Sequence, residues 1–142
     1  MHPRLASIAL VVAGTFLILA EPGAGQQKPT RSPFAGEYSG PFLTKSLRKG
    51  SQDNDKGTYT ITVAVDGKVT GNTLSSITKA RTSVTGTVDP EGKVIFTIKY
   101  GSQEYMMKGT VTKTTAGALK GSLLQYSGRE AIAQDDIELR PK

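Results

Sequence analysis

Two adjacent carboxylates, Asp135 and Asp136, stand near the end of the chain in a stretch that alternates apolar and polar residues. Counted with Ala131, Ala133, Ile137 and Leu139, Asp135 falls on the apolar face. An unpartnered carboxylate there is costly and marks a functional or partnered group. A β-bulge at that point turns Asp135 outward and restores the alternation, and the cost of burial favours the bulge. Tyrosine supplies the second candidate chemistry. Tyr38, Tyr59 and Tyr105 share an alternation register with Phe96, Met107 and, from a later segment, Gln125. Apolar walls with a few convergent hydroxyl and amide groups are what a small-molecule pocket needs. The same side chains can instead fill a small interior, with their hydroxyls turned to backbone or water.

Other chemistries are weak or missing. QDNDKG at 52–57 resembles the start of a calcium loop, but counting from Asp53 puts Thr58 at the sixth position and Ala64 at the twelfth. Such a loop needs glycine and glutamate there, so the segment reads as a solvated connection. The only histidine is His2, and there is no cysteine. Histidine-dependent and cysteine-dependent catalysis, zinc sites and disulfides are therefore not expected, and neither is a cofactor. Asp66, Asp89, Glu91 and Glu130 stand at turns, where turn chemistry accounts for them. No carboxylate pair has a spacing suited to acid–base work, so no enzyme is expected. Basic residues gather in two connections, Lys45, Arg48, Lys49 and Lys56 in one and Lys79 and Arg81 in the other. If both cap one end of the fold, Lys45, Arg48, Lys49, Lys79 and Arg81 form a positive rim suited to an anionic ligand, an acidic protein or an anionic surface. Nucleic acid is not expected, because the aromatics alternate to the other face from the lysines.

The elements that position these residues are strands. Gly57–Val65 has the clearest period of two, with Tyr59, Ile61, Val63 and Val65 on one face and Thr58, Thr60 and Thr62 on the other. Similar stretches are expected at 37–42, 68–74, 82–88, 93–100 (burying Val94, Phe96, Ile98 and Tyr100), 104–112, 118–126 and 131–140. The long connection 43–56 has room for one helical turn near Ser46. Asp66-Gly67 suits a type I′ turn and DPEG at 89–92 a type I turn. Turn glycines recur at Gly67, Gly92 and Gly117, 25 residues apart. A second phrase recurs four times, as VTGNT from Val69, VTGTV from Val84, MKGTV from Met107 and LKGSL from Leu119. Its glycines fall on the apolar face, where they mark bends or close backbone approach. The pattern predicts an all-β, antiparallel up-and-down meander of about eight strands. Closure into a barrel is expected, because it removes exposed edges and suits tight coiling.

GEYSG from Gly36, followed by a meander carrying VTGNT, VTGTV and MKGTV, resembles the avidin and streptavidin branch of the calycin barrels. The resemblance spans most of residues 36–140 and implies a closed barrel with an internal ligand site. The chain has no tryptophan, the residue that walls the biotin pockets of that family. The likeness therefore implies the barrel and not biotin.

Ahead of the barrel, Arg4 and the apolar run Leu5–Ala20 have the form of a signal peptide over residues 1–25, with cleavage after Ala20, Ala24 or Gly25. The run falls short of the ~20 apolar residues of a membrane-spanning helix, which disfavours a retained anchor. Loss of the segment leaves the net charge of +6 unchanged, since Arg4 and Glu21 cancel. Residues 26–35 read as a disordered polar lead-in and 36–142 as the barrel domain. The expected function is an exported (periplasmic or secreted) non-enzymatic barrel that binds a small apolar or amphipathic molecule through Tyr38, Tyr59, Phe96, Tyr105, Met107 and Gln125. The alternative is a protein-interaction or inhibitor module working through the basic loops. The oligomeric state is left open.

Overall fold

A computed structural model of the protein describes residues 30–51 and 54–142; the expected signal peptide and the first residues of the lead-in lie outside them. Eight antiparallel strands follow one another: β1 (Gly36–Ser46), β2 (Asp55–Val63), β3 (Lys68–Ser75), β4 (Arg81–Val88), β5 (Lys93–Tyr100), β6 (Gln103–Lys113), β7 (Leu119–Ser127) and β8 (Glu130–Pro141). Each pairs with its neighbour in sequence, and β8 returns to β1 to close the barrel. Inward positions are apolar: Tyr59, Ile61 and Val63 on β2, Val94, Phe96 and Ile98 on β5, and Leu119 and Leu123 on β7 are buried. The outer wall carries Thr58, Thr60, Lys68, Lys93, Lys108 and Lys120. That is the reverse of the apolar-out alternation of membrane barrels.

The 25-residue spacing is that of one hairpin. Gly67, Gly92 and Gly117 all have positive φ and donate back to the residue three earlier, Ala64, Asp89 and Thr114. In the first two hairpins the glycine carbonyl then accepts from the next even strand, Gly67 from Val88 and Gly92 from Val111. A Cβ on either glycine would press against the carbonyl of the same residue, Val88 or Val111. The glycines of the repeated phrase serve the wall. At Gly71, Gly86, Gly109 and Gly121 a Cβ would strike a backbone carbonyl of the adjoining strand, so their absence of a side chain permits the tight coiling of a small barrel.

Several expectations change. β1 runs on to Ser46, so the proposed helical turn there is replaced by strand, and Lys45 is a strand residue. The Asp66-Gly67 turn is not type I′. Only Gly67 has positive φ, and Asp66 instead accepts from the Lys68 N–H (3.1 Å). Val65, placed in that turn, is 60% exposed rather than inward. Tyr100 lies at the end of its strand, 43% exposed. The lead-in is packed from Ser32 onward. Ser32 donates to the Val65 carbonyl, Phe34 is buried under the turn end of the barrel, and Tyr38 donates to the Phe34 carbonyl at 2.9 Å.

Candidate functional site

The barrel interior is divided along its axis. At the end closed by Phe34, the side chains of Ile61, Val69, Phe96, Val111, Leu119 and Leu139 leave only about 10 Å3 free, roughly the threshold for a single water. Tyr38 is fully buried in this part of the core. At the other end, where the β1–β2, β3–β4, β5–β6 and β7–β8 connections lie, a cavity of about 460 Å3 opens to solvent. That volume is within the range of small-molecule sites, roughly 300–1,000 Å3.

The cavity floor is built around Asp135, which is 5% exposed and points inward. The bulge expected at Asp135 lies elsewhere. Gln125 pairs with Ala133 and Tyr126 with Ala131, so the extra residue is Ile132, and alternation resumes in time to keep Asp135 inside. The physical reason is that Asp135 has partners. Thr44, its cross-strand neighbour on β1, donates to Oδ1 at 2.6 Å, and Tyr59 on β2 donates to Oδ2 at 2.9 Å. The Tyr59 hydroxyl also lies 3.4 Å from the Met107 sulfur. A phenol has one proton, and the carboxylate is the stronger acceptor, so the sulfur contact is packing.

Burial pushes the Asp135 carboxyl above its ordinary value. The hydroxyls of Thr44 and Tyr59 pull it back, while the charges of Asp55 and Asp136 add to the rise. Burial, followed by the Asp135 charge, pushes the Tyr59 hydroxyl well above a phenol's usual range. Outside the barrel the neighbouring Asp136 behaves oppositely. Hydrogen bonds from Ser122 and Gln134, aided by Lys45, hold it below the ordinary carboxylate value.

Local sequence explains how Tyr59 is held. Gly57 precedes it on the same face, and a Cβ there would meet both the Phe42 ring and the Leu74 carbonyl. Without one, Phe42 lies across β2 with its ring edge-on to Tyr59, centroids 5.2 Å apart. On the opposite wall Tyr100 and Tyr105 make a second edge-on pair at 6.3 Å, and Tyr105 donates to Gln103 Oε1 at 2.7 Å. Asp55 at the rim accepts from the buried Ser75 hydroxyl (2.8 Å), which in turn accepts from the Ile77 and Thr78 N–H groups and so ties the β3–β4 connection to β2.

Of the six residues expected to meet a ligand, Tyr59, Tyr105 and Gln125 line the cavity. Phe96 lines the filled end, and Tyr38 and Met107 are packed in the core. Alternation placed all six inward but carried no information on height along the barrel. Asp55, Thr44, Phe42, Tyr100 and Gln103 line the site without having been singled out. The two basic connections do share the open end, where Ser76 donates to the Lys56 carbonyl. Arg48 lines the cavity. Lys45 reaches Asp136 at 3.5 Å, Arg81 donates to Asn72 and Lys79 to the Ser76 carbonyl, while Lys49 is exposed. Among the described residues no group of three or more potential metal ligands occurs; of QDNDKG, residues 52 and 53 lie outside them. No family model matches the chain, and no curated protein or solved structure matches it.

Proposed function

We propose that the protein is an exported, non-enzymatic barrel of calycin-like type that holds a small amphipathic molecule in its open end. One observation carries this reading: the half-filled interior. A barrel built only as a scaffold can be packed throughout, as the Phe34 end is. Here the other half keeps a cavity of about 460 Å3 whose wall alternates aromatic rings with Thr44, Asp55, Gln103, Gln125 and Asp135. That mixture favours an amphipathic ligand over a purely apolar one. Export rests on the apolar segment Leu5–Ala20 after Arg4.

Native mass spectrometry on the full chain, expressed in a host that can process signal peptides, tests both parts. The expected result is a polypeptide shortened at Ala20, Ala24 or Gly25, with an added mass that disappears on denaturation. Tyr105→Ala should lower the occupied fraction. A full-length polypeptide retained in the cell would overturn export. A bare mass, together with no binding of an amphipathic fluorescent dye that Tyr105→Ala can abolish, would overturn ligand binding.

A further inference from the structure

This inference rests on the ligand-binding reading above and concerns the charge of the ligand. The cavity wall holds two carboxylates, Asp55 and Asp135, against one cation among the described residues, Arg48. Thr44 pairs with Asp55 across to β2 and with Asp135 across to β8, so the carboxylates flank β1 and face the same space. Among the described residues the ion pairs of the barrel involve other carboxylates, at exposed or half-exposed positions. Among the described residues Asp135 is balanced by hydroxyls alone, one on each oxygen. A carboxylate offers about four lone-pair sites, so each oxygen retains one. A buried carboxylate without a cation is under-compensated, and a cationic ligand relieves it.

Thr82 is 1% exposed and its hydroxyl has no hydrogen-bond partner among the described residues. It sits on the inner face directly across from the wall residue Thr73. Thr82 itself does not line the cavity, so the spare hydrogen-bonding capacity that faces the ligand space is that of Asp135. The rings of Tyr100 and Tyr105, which are not buried, supply apolar surface and π faces that attract a cation. A wall so rich in rings, with no cluster of metal ligands among the described residues, suits an organic cation rather than a metal ion. We infer that the cavity takes an organic amine, its ammonium group at Asp135 and Asp55 and its apolar or aromatic body against Tyr100 and Tyr105.

The test is calorimetric titration of the protein with 2-phenylethylamine, 2-phenylethanol and phenylacetate, which share a ring and differ in head group. The amine should bind roughly tenfold or more tightly than the alcohol, as charge-assisted hydrogen bonds require, and phenylacetate most weakly. Asp135→Asn should erase the preference for amine over alcohol. If that variant does not fold, Asp55→Asn should reduce the same preference. Equal or tighter binding of the alcohol or the carboxylate overturns the amine class and leaves ligand binding standing. Failure of all three probes, when the exported protein carries an occupant, also overturns the amine class alone. Failure of all three with a bare protein removes both readings.

Discussion

Replacing Tyr59 by Phe removes one oxygen from the centre of the barrel and tests the account of Asp135 directly. The ring stays, so its edge-on contact with Phe42 is kept, and the hydroxyl's packing contact with the Met107 sulfur goes with the oxygen. The loss is the donor to Asp135 Oδ2 at 2.9 Å. A hydrogen bond to a charged group contributes about 1.5–3 kcal/mol, and stranding a buried acceptor sits at the upper end of that range. With a urea slope of roughly 1–3 kcal/mol/M, the unfolding midpoint should fall by on the order of 1 M near neutral pH. The effect should depend on pH. The Tyr59 hydrogen bond lowers the Asp135 pKa, so it favours the charged form, and its loss should matter less once Asp135 is protonated. Urea unfolding of Tyr59→Phe at pH 7 and pH 4 should therefore show a smaller deficit at the lower pH. The double variant with Asp135→Asn should be less destabilised than the two single changes summed, with a coupling of about 1 kcal/mol or more. A loss under about 0.5 kcal/mol that is the same at both pH values would mean the two groups do not interact, and the description of the cavity floor would be wrong.

Three further outcomes follow from the same geometry. Asp135→Asn should stabilise the fold at neutral pH relative to its effect in acid. The folded-state pKa of Asp135 is raised above 3.8, so the folded chain binds this proton more tightly than the unfolded one and stability drops as pH climbs from about 3.8 through the raised value. Thermal melting across pH 3–8 would show the gap between variant and parent widening over that window and then levelling; a gap that narrows with rising pH contradicts the raised pKa. Phe96→Ala, at the filled end, should cost about 3–5 kcal/mol in chemical denaturation, whereas Tyr105→Ala at the open cavity should change stability little and binding strongly; the reverse assignment would mean the two halves are misidentified. Gly92→Ala should cost more than about 1 kcal/mol, because alanine is strained at φ 89° and its methyl presses on the Val111 carbonyl, and a melting temperature unchanged by it would refute the hairpin geometry.

The strands were legible because each carries its own evidence of alternation and is bounded by turn residues. β5, Lys93–Tyr100, falls where the alternation of Val94, Phe96 and Ile98 puts it. Strand parity told which way Tyr59, Phe96, Tyr105 and Gln125 point. It could not tell how high each sits, because height depends on the stagger between strands, and stagger is set around the closed circle rather than within a segment. Tyr38 and Tyr59 are both inward tyrosines, yet one is packed by Phe34 and the other faces the cavity. The lead-in was missed for a related reason. Ser32 and Phe34 sit in a proline-bearing stretch without periodicity, and their burial comes from Val65 and the β4–β5 turn, far along the chain.

Asp135 shows where local reasoning gives the wrong sign. Alternation put it inside, and the cost of burying a carboxylate argued for moving it out. That cost applies to a carboxylate standing alone. Thr44 and Tyr59, which offset it, lie 91 and 76 residues away in sequence, and nothing nearby announces them. Closure of β8 onto β1 is what brings Thr44 opposite Asp135, so the step that removes the sheet's edges also builds the floor of its cavity. The same closure leaves the carboxylate with hydroxyl partners and, among the described residues, no cation, at the one end of the barrel that its own side chains do not fill. A fold stabilised by a packed half, with Phe34 sealing it, can carry a strained electrostatic feature in the other half. That division is why we place a ligand, rather than a better core, in the space beside Asp135.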